Sequence, residues 1–205
     1  MDYPDKNALA ALEKGLIERF MSGEADAFAG LAELYKDRIH QFILCILGPD
    51  RESEDIAQEA FVQIYRSLRS FRGECAFSTW AYSITRNVCR RRLRGRGREA
   101  GLFGGLDSKD GCDLPDRAPS MEINLENEET GKLVRAAVDR LSPLHRAVIF
   151  LSCWERMPYE EISRALDIPV GTVRSRIHNA MAALARGLKP VLDPGTEVND
   201  NEMPV

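Results

Sequence analysis

Residues 157–188 read MPYEEISRALDIPVGTVRSRIHNAMAALARGL, and their apolar positions fall into two sets. Tyr159, Ile162 and Leu166 recur at steps of three and four, as one face of a short helix requires. Val173, Ile177, Ala180 and Leu184 do the same over a longer stretch. Between the two sets, Asp167-Ile168-Pro169 forms a turn, because the residue before a proline is pushed out of the helical region. Two helices locked at an angle by such a turn are a helix-turn-helix, whose second helix projects into a DNA major groove. With Val173 and Ile177 inward, the wheel turns Ser175, His178, Asn179 and Ala182 outward, with Arg174 and Arg176 on the flanks. Arg174 can fork onto guanine and Asn179 onto adenine. Arg176, and the backbone amides around Gly171 and Thr172 at the positive end of the helix, suit phosphate. The plainer reading is a helical hairpin with a solvated face; turn, small residues and periodicity together favour the DNA-binding one.

Helical spacing extends upstream. Leu133, Ala137, Val138 and Leu141 form one stripe, and Ser142-Pro143 opens a helix carrying Ala147, Val148, Phe150 and Leu151. An earlier block runs from Leu9 to Leu93. In it Phe28, Leu31, Tyr35, Ile39, Phe42, Ile43 and Ile46 share one side of a long helix that ends at Gly48-Pro49. A helix capped near Ser53 follows, with acids in its first turn, and buries Ile56, Ala60, Ile64 and Leu68. A third spans about Phe77 to Leu93, with Phe77, Trp80, Ala81, Ile84 and Val88 inward. Strand-like alternation is essentially absent, so the fold class is all-α: two small helical domains. Residues 98–129, REAGLFGGLDSKDGCDLPDRAPSMEINLENEE, are rich in glycine, proline and acids and read as a flexible acidic linker. The tail DPGTEVNDNEMPV reads as disordered.

Charge is unevenly spread. The whole chain is formally -4, yet Arg66 to Arg98 holds ten arginines and one acid, Glu74, a local +9. Like charges at that density call for an anionic partner, and nucleic acid is the expected one. On the third helix Thr79, Tyr82, Ser83, Arg86 and Arg90 are placed opposite the apolar stripe, able to contact phosphates and stack on exposed bases. The loop before it, Phe71-Arg72-Gly73-Glu74-Cys75-Ala76, can form a pocket for one unstacked base. On the second helix Asp55, Gln58, Glu59, Val62, Arg66 and Arg69 share an outward stripe, with an apolar side chain in its middle. Such a stripe is most often a solvated face.

Five widely spaced cysteines without a CxxC pair point to reduced thiols rather than a disulfide framework or zinc site. A redox role for Cys75 or Cys89 is the less common alternative to incidental thiols. The acidic N-terminus lacks the basic region of a signal peptide, and no apolar run reaches the ~20 residues of a bilayer span, so the expected location is the cytoplasm. His40, His145 and His178 have no partner at ligand spacing, and no GxxxxGK[ST] sequence occurs, so neither a metal, a cofactor nor a catalytic site is expected.

Taken together, DIAQEAFVQIYRSLRSF with FRGECAFSTWAYSITRNVCRRRL in the first block, and LSPLHRAVIFL with the helix-turn-helix in the second, resemble the extracytoplasmic-function group of bacterial sigma factors. The resemblance covers about residues 20–95 and 130–188. It implies a region-two-like domain over 1–95, a linker over 96–130, a region-four-like domain over 131–190 and a tail over 191–205. It assigns Asp55, Gln58, Glu59 and Val62 to docking on core RNA polymerase. It assigns the loop from Phe71 to Phe77, together with Thr79, Tyr82, Ser83, Arg86, Asn87 and Arg90, to capture and melting of the minus-ten element, although the wheel sets Asn87 near the inner side. Gly171, Thr172, Arg174, Ser175, Arg176, His178 and Asn179 match the reader of the minus-thirty-five element; many relatives carry a basic residue where Asn179 stands. Implied partners are core polymerase, promoter DNA both duplex and single-stranded, and an anti-sigma protein, through which alone a membrane would be reached. The main rival is a helix-turn-helix regulator that binds duplex DNA without polymerase; it explains the second block and leaves the first without a role. An RNA-binding module would use the arginine run, and a nuclease would need a metal-spaced carboxylate cluster that the sequence lacks.

Overall fold

The computed structural model describes the backbone of residues 6–48, 52–95 and 128–192, and the side chains of 8–48, 52–95 and 134–188. These residues form eight helices: α1 (Lys6–Met21), α2 (Ala27–Leu47), α3 (Ser53–Ser67), α4 (Phe77–Gly95), α5 (Glu128–Asp139), α6 (Pro143–Ile149), α7 (Tyr159–Leu166) and α8 (Val170–Leu192). No strand occurs among them, as the apolar spacing requires. The expected linker and tail lie outside the described residues, except that the linker's last residues already belong to α5 and the tail's first two, Val191 and Leu192, to the end of α8.

Helix α2 is the axis of the first unit. Its residues Leu31, Tyr35, Ile39, Phe42, Ile43 and Ile46 are all buried, on the side the sequence marks as apolar. Helices α1, α3 and α4 pack around it. Gly30 lets α1 cross closely: a Cβ there would stand 2.8 Å from a Leu16 methyl, which would have to swing aside. Ile56, Ala60 and Ile64 of α3, with Leu68 in the 3-10 turn that follows it, are completely buried, each of the larger ones contributing about 1.5–3 kcal/mol. Ser53 is the first helical residue rather than the cap; Glu52 precedes it, and the Ser53 hydroxyl lies 3.3 Å from His40 Nε2.

In the second unit Pro143 occupies the first turn of α6, where its missing N–H costs nothing. The chain then widens into a π-helical turn over Phe150–Trp154, and the Glu155 amide donates to the Phe150 carbonyl at 3.1 Å. Arg146 is buried and ties the unit's carbonyls together, its Nη1 donating to Leu141 O at 2.8 Å and Asp139 O at 3.2 Å.

The two units do more than share a tether. Phe42 of α2 packs on Tyr82 of α4 at 4.9 Å and on Phe150 at 6.1 Å, and Tyr82 meets Phe150 edge-on at 6.2 Å. Helix α6 lies on α2, and α7 on α4. Apolar periodicity identifies a buried face without naming what buries it, so this pairing was not readable from spacing. Among the described residues no helix is long and apolar enough to cross a membrane.

Candidate nucleic-acid interface

The helix-turn-helix is built as its sequence requires. Asp167 ends α7 in the left-handed region at φ 52°, a conformation aspartate tolerates better than most residues. Its amide donates to Ser163 O, and the Ser163 hydroxyl closes the turn onto Ile168 O at 2.6 Å. Pro169 immediately precedes the next helix, its carbonyl accepting from the amides of Thr172 at 2.9 Å and Val173 at 3.1 Å. Val173 and Ala180 are fully buried, while Gly171, Arg174, Ser175, His178 and Asn179 are exposed, with Thr172 and Arg176 half-buried. The wheel reading of α8 therefore stands, apart from Ala182, which is half-buried rather than outward. This face presents two chemically capable base readers on a rigid helix.

Asp55, Gln58, Glu59, Val62 and Arg66 on α3, and Arg69 in the turn after it, are all exposed. Val62 at 46% and Tyr65 at 43% make this face more apolar than a solvated helix needs. Tyr65 was missed in the sequence; it leans edge-on against Phe20 and Phe28, at 5.4 and 5.0 Å. Glu59 receives a 3.0 Å bond from Arg91 of α4, so part of its charge is already answered.

The third surface departs from the expectation. Ser83 and Arg90 are half-buried, whereas Thr79, Tyr82 and Arg86, expected to point outward, are buried. The second unit lies over them. Thr79 Oγ1 donates to a Glu161 carboxylate oxygen; Arg86 Nη1 donates to Leu166 O at 2.8 Å and stands 3.3 Å from Asp167. Asn87 is corrected in the opposite sense: it is exposed, and accepts a 2.9 Å bond from Arg86. In the preceding loop Phe71 lies on Trp80 at 5.1 Å and Phe77 at 5.9 Å, fixing one end. Gly73 supplies the φ of 70° that lets Arg72, Glu74 and Ala76 stay exposed while Cys75 turns partly inward and Phe77 enters the core. Burial pushes the Cys89 thiol up to about 12, and Cys75 is raised by burial and then by Glu161. Both shifts disfavour the thiolate, the form that oxidises.

A sequence model for sigma-70 region 2 matches residues 31–99, and one for sigma-70 region 4 matches residues 132–184. The chain belongs to the sigma-70 family. Within it, the RNA polymerase sigma-H factor of Pseudomonas aeruginosa is 33% identical over 190 residues, covering 88% of this chain and 95% of that protein. The ECF sigma factor SigW of Bacillus subtilis is 33% identical, covering 86% and 96%, and the ECF sigma-E factor of Escherichia coli is 34% identical, covering 86% and 94%. The protein is thus an extracytoplasmic-function sigma factor. Among solved structures the fold is shared by CnrH, in complex with the cytosolic domain of CnrY: TM-score 0.57, 21% identity, 90% of this chain and 99% of that one. It is shared as well by RpoE of Bartonella quintana, in complex with the anti-sigma factor NepR: TM-score 0.59, 22% identity, 80% and 98%. Of the three candidate surfaces, the α3 stripe and the outer face of α8 stand open, while Thr79, Tyr82 and Arg86 of the α4 face are covered.

Proposed function

We propose that this sigma factor works in the cytoplasm by binding alone, without catalysis. It docks core RNA polymerase through Asp55, Gln58, Glu59 and Val62 of α3, and reads the upstream promoter element with Arg174, Ser175, His178 and Asn179. Gly171, Thr172 and Arg176 hold the flanking phosphates. The loop Phe71–Phe77 and the α4 residues Thr79, Tyr82, Ser83, Arg86, Asn87 and Arg90 take the melted strand. Unstacking a base costs a few kcal/mol, which capture in the loop and phosphate contacts to the arginine run offset. An anti-sigma protein holds the factor inactive, a partner class named for the structural neighbour from Bartonella quintana.

The observation that carries this reading is the presence in one chain, in this order, of an acidic stripe with apolar Val62 at its centre and an exposed reader helix. A duplex-binding regulator has use for the second alone. Capture of a promoter-fragment pool by core polymerase, by this chain and by both together separates the two. Selection of fragments only by the mixture supports the sigma role; equal selection by the chain alone makes it a conventional regulator. Within the selected set, Arg174→Ala is expected to cost about 1–3 kcal/mol at one base pair. Competition binding with single-base variants measures this, and a loss equal at every base would make Arg174 a phosphate contact.

A further inference from the structure

Among the described residues two that are not glycine have positive φ, and they bracket α7: Arg156 at 50° and Asp167 at 52°. Both close a helix end. The Met157 amide donates back to Leu151 O at 2.9 Å around Arg156, and the Ile168 amide to Ser163 O at 3.2 Å around Asp167. Such ends favour glycine, because a Cβ in the left-handed region crowds the following carbonyl oxygen. Aspartate is a tolerated exception, since its short polar side chain can bond locally. Arginine has no such relief. Arg156 is also exposed, so it does not offset the strain by filling the core. Its side chain interacts within the chain, but contacts at exposed positions contribute little to stability. A glycine would close the same turn with less strain, and the arginine side chain therefore serves something other than the turn.

Its position lies on the DNA-binding motif. Arg156 stands two residues before Pro158, the cap of α7. Helix α7 is the first of the helix-turn-helix pair, the one that crosses the phosphate backbone when its partner enters the groove. This end of α7 is otherwise anionic, with Glu160 and Glu161 in its first turn. Glu161 has a counter-ion in Arg164 at 3.6 Å, while Glu160 is exposed. A phosphate brought to this end meets repulsion from Glu160, and an exposed guanidinium four residues earlier is the group that reverses it.

We propose that Arg156 is a phosphate anchor of the helix-turn-helix, holding the DNA backbone at the start of α7 while Gly171, Thr172 and Arg176 hold it at the start of α8. Helix α7, eight residues or about 12 Å long, separates the two places, so they meet different phosphates. The inference rests on the reading of α8 as the helix that enters the upstream element. It gives the strained backbone at Arg156 a purpose: a cation stands where glycine would fit the turn better.

The test uses the full chain assembled with core polymerase and a fluorescent duplex carrying the upstream element alone. Anisotropy titrations run from about 50 to about 200 mM salt. Arg156→Gly is expected to bind more weakly, by the same factor whichever base of the element is changed. The ratio of wild-type to variant affinity is expected to fall about 3.5-fold across that salt range, as one lost phosphate contact requires. Arg156→Lys keeps the charge and is expected to keep the wild-type salt dependence. Urea unfolding of the free chain is expected to show Arg156→Gly at least as stable as wild type, because glycine suits the left-handed conformation. Weaker DNA binding joined to undiminished stability is a combination that a merely structural role does not give. An unchanged salt dependence in Arg156→Gly would overturn the proposal, as would a loss confined to one base pair or one that accompanies a fall in stability. Weaker binding to core polymerase with unchanged DNA titrations would make Arg156 a protein contact and overturn it too. Arg174→Ala in the same titration separates the inference from the reading beneath it. A base-specific loss there puts α8 on the element whatever Arg156 does; no loss removes the reading and the inference together.

Discussion

Asp55→Arg is expected to weaken binding to core RNA polymerase by at least about 2 kcal/mol, roughly 30-fold, the scale of losing a charge pair that becomes desolvated in an interface. Asp55 is exposed in the first turn of α3, one turn before Glu59 and two before Val62. Its substitution leaves the buried Ile56 face untouched, so stability is expected to change by only about 0.5 kcal/mol. Glu54→Arg is the control: it makes the same change in net charge and the same loss at the helix N-terminus, about 100° around the helix. Titration of labelled core enzyme with both variants distinguishes a docking contact, which only Asp55 makes, from long-range attraction, which the two would share. Glu59 is a poorer probe, because Arg91 already neutralises part of its charge.

Phe42→Ala is expected to destabilise the folded chain by about 3–5 kcal/mol, the cost of lost transfer energy plus a cavity that its neighbours cannot fill. Its ring is fully buried and touches Tyr82 of α4 and Phe150 of the second unit. Equilibrium urea unfolding followed by circular dichroism measures the loss. Because Phe42 lies where the units meet, the variant also reports how the units are coupled. A single transition shifted to lower urea means they unfold together; two transitions, with only the first unit weakened, mean that Phe150 contributes little to its own unit through this contact.

Most of the helices were legible because their signals are local. The α8 face was read correctly at Arg174, Ser175, His178 and Asn179, since the turn at Asp167–Pro169 and four inward apolar residues fix the phase of the wheel. The α3 stripe was equally readable, because Ile56, Ala60, Ile64 and Leu68 recur at every fourth position on the opposite side. The wheel failed on α4. There Thr79, Tyr82 and Arg86 are polar enough to be assigned to solvent, yet Thr79 and Arg86 are buried by residues some eighty positions away and Tyr82 between Phe42 and Phe150. No periodicity carries such a pairing; Glu161 and Asp167 look like ordinary solvated acids until α7 is placed on α4. Arg38 and Glu155, 117 positions apart, went unnoticed for the same reason. Asn87 fell on the wrong side because it sits at the border between the two faces, where a small error in phase decides the outcome.

Run-off transcription with purified bacterial core polymerase on a pool of promoter fragments, with and without this protein, tests the sigma role most directly. The expected result is a set of discrete transcripts that require the protein, start at fixed positions and are lost with Asp55→Arg. Initiation by the core enzyme that is unchanged by the protein, or changed only through fragments the protein binds by itself, would contradict it.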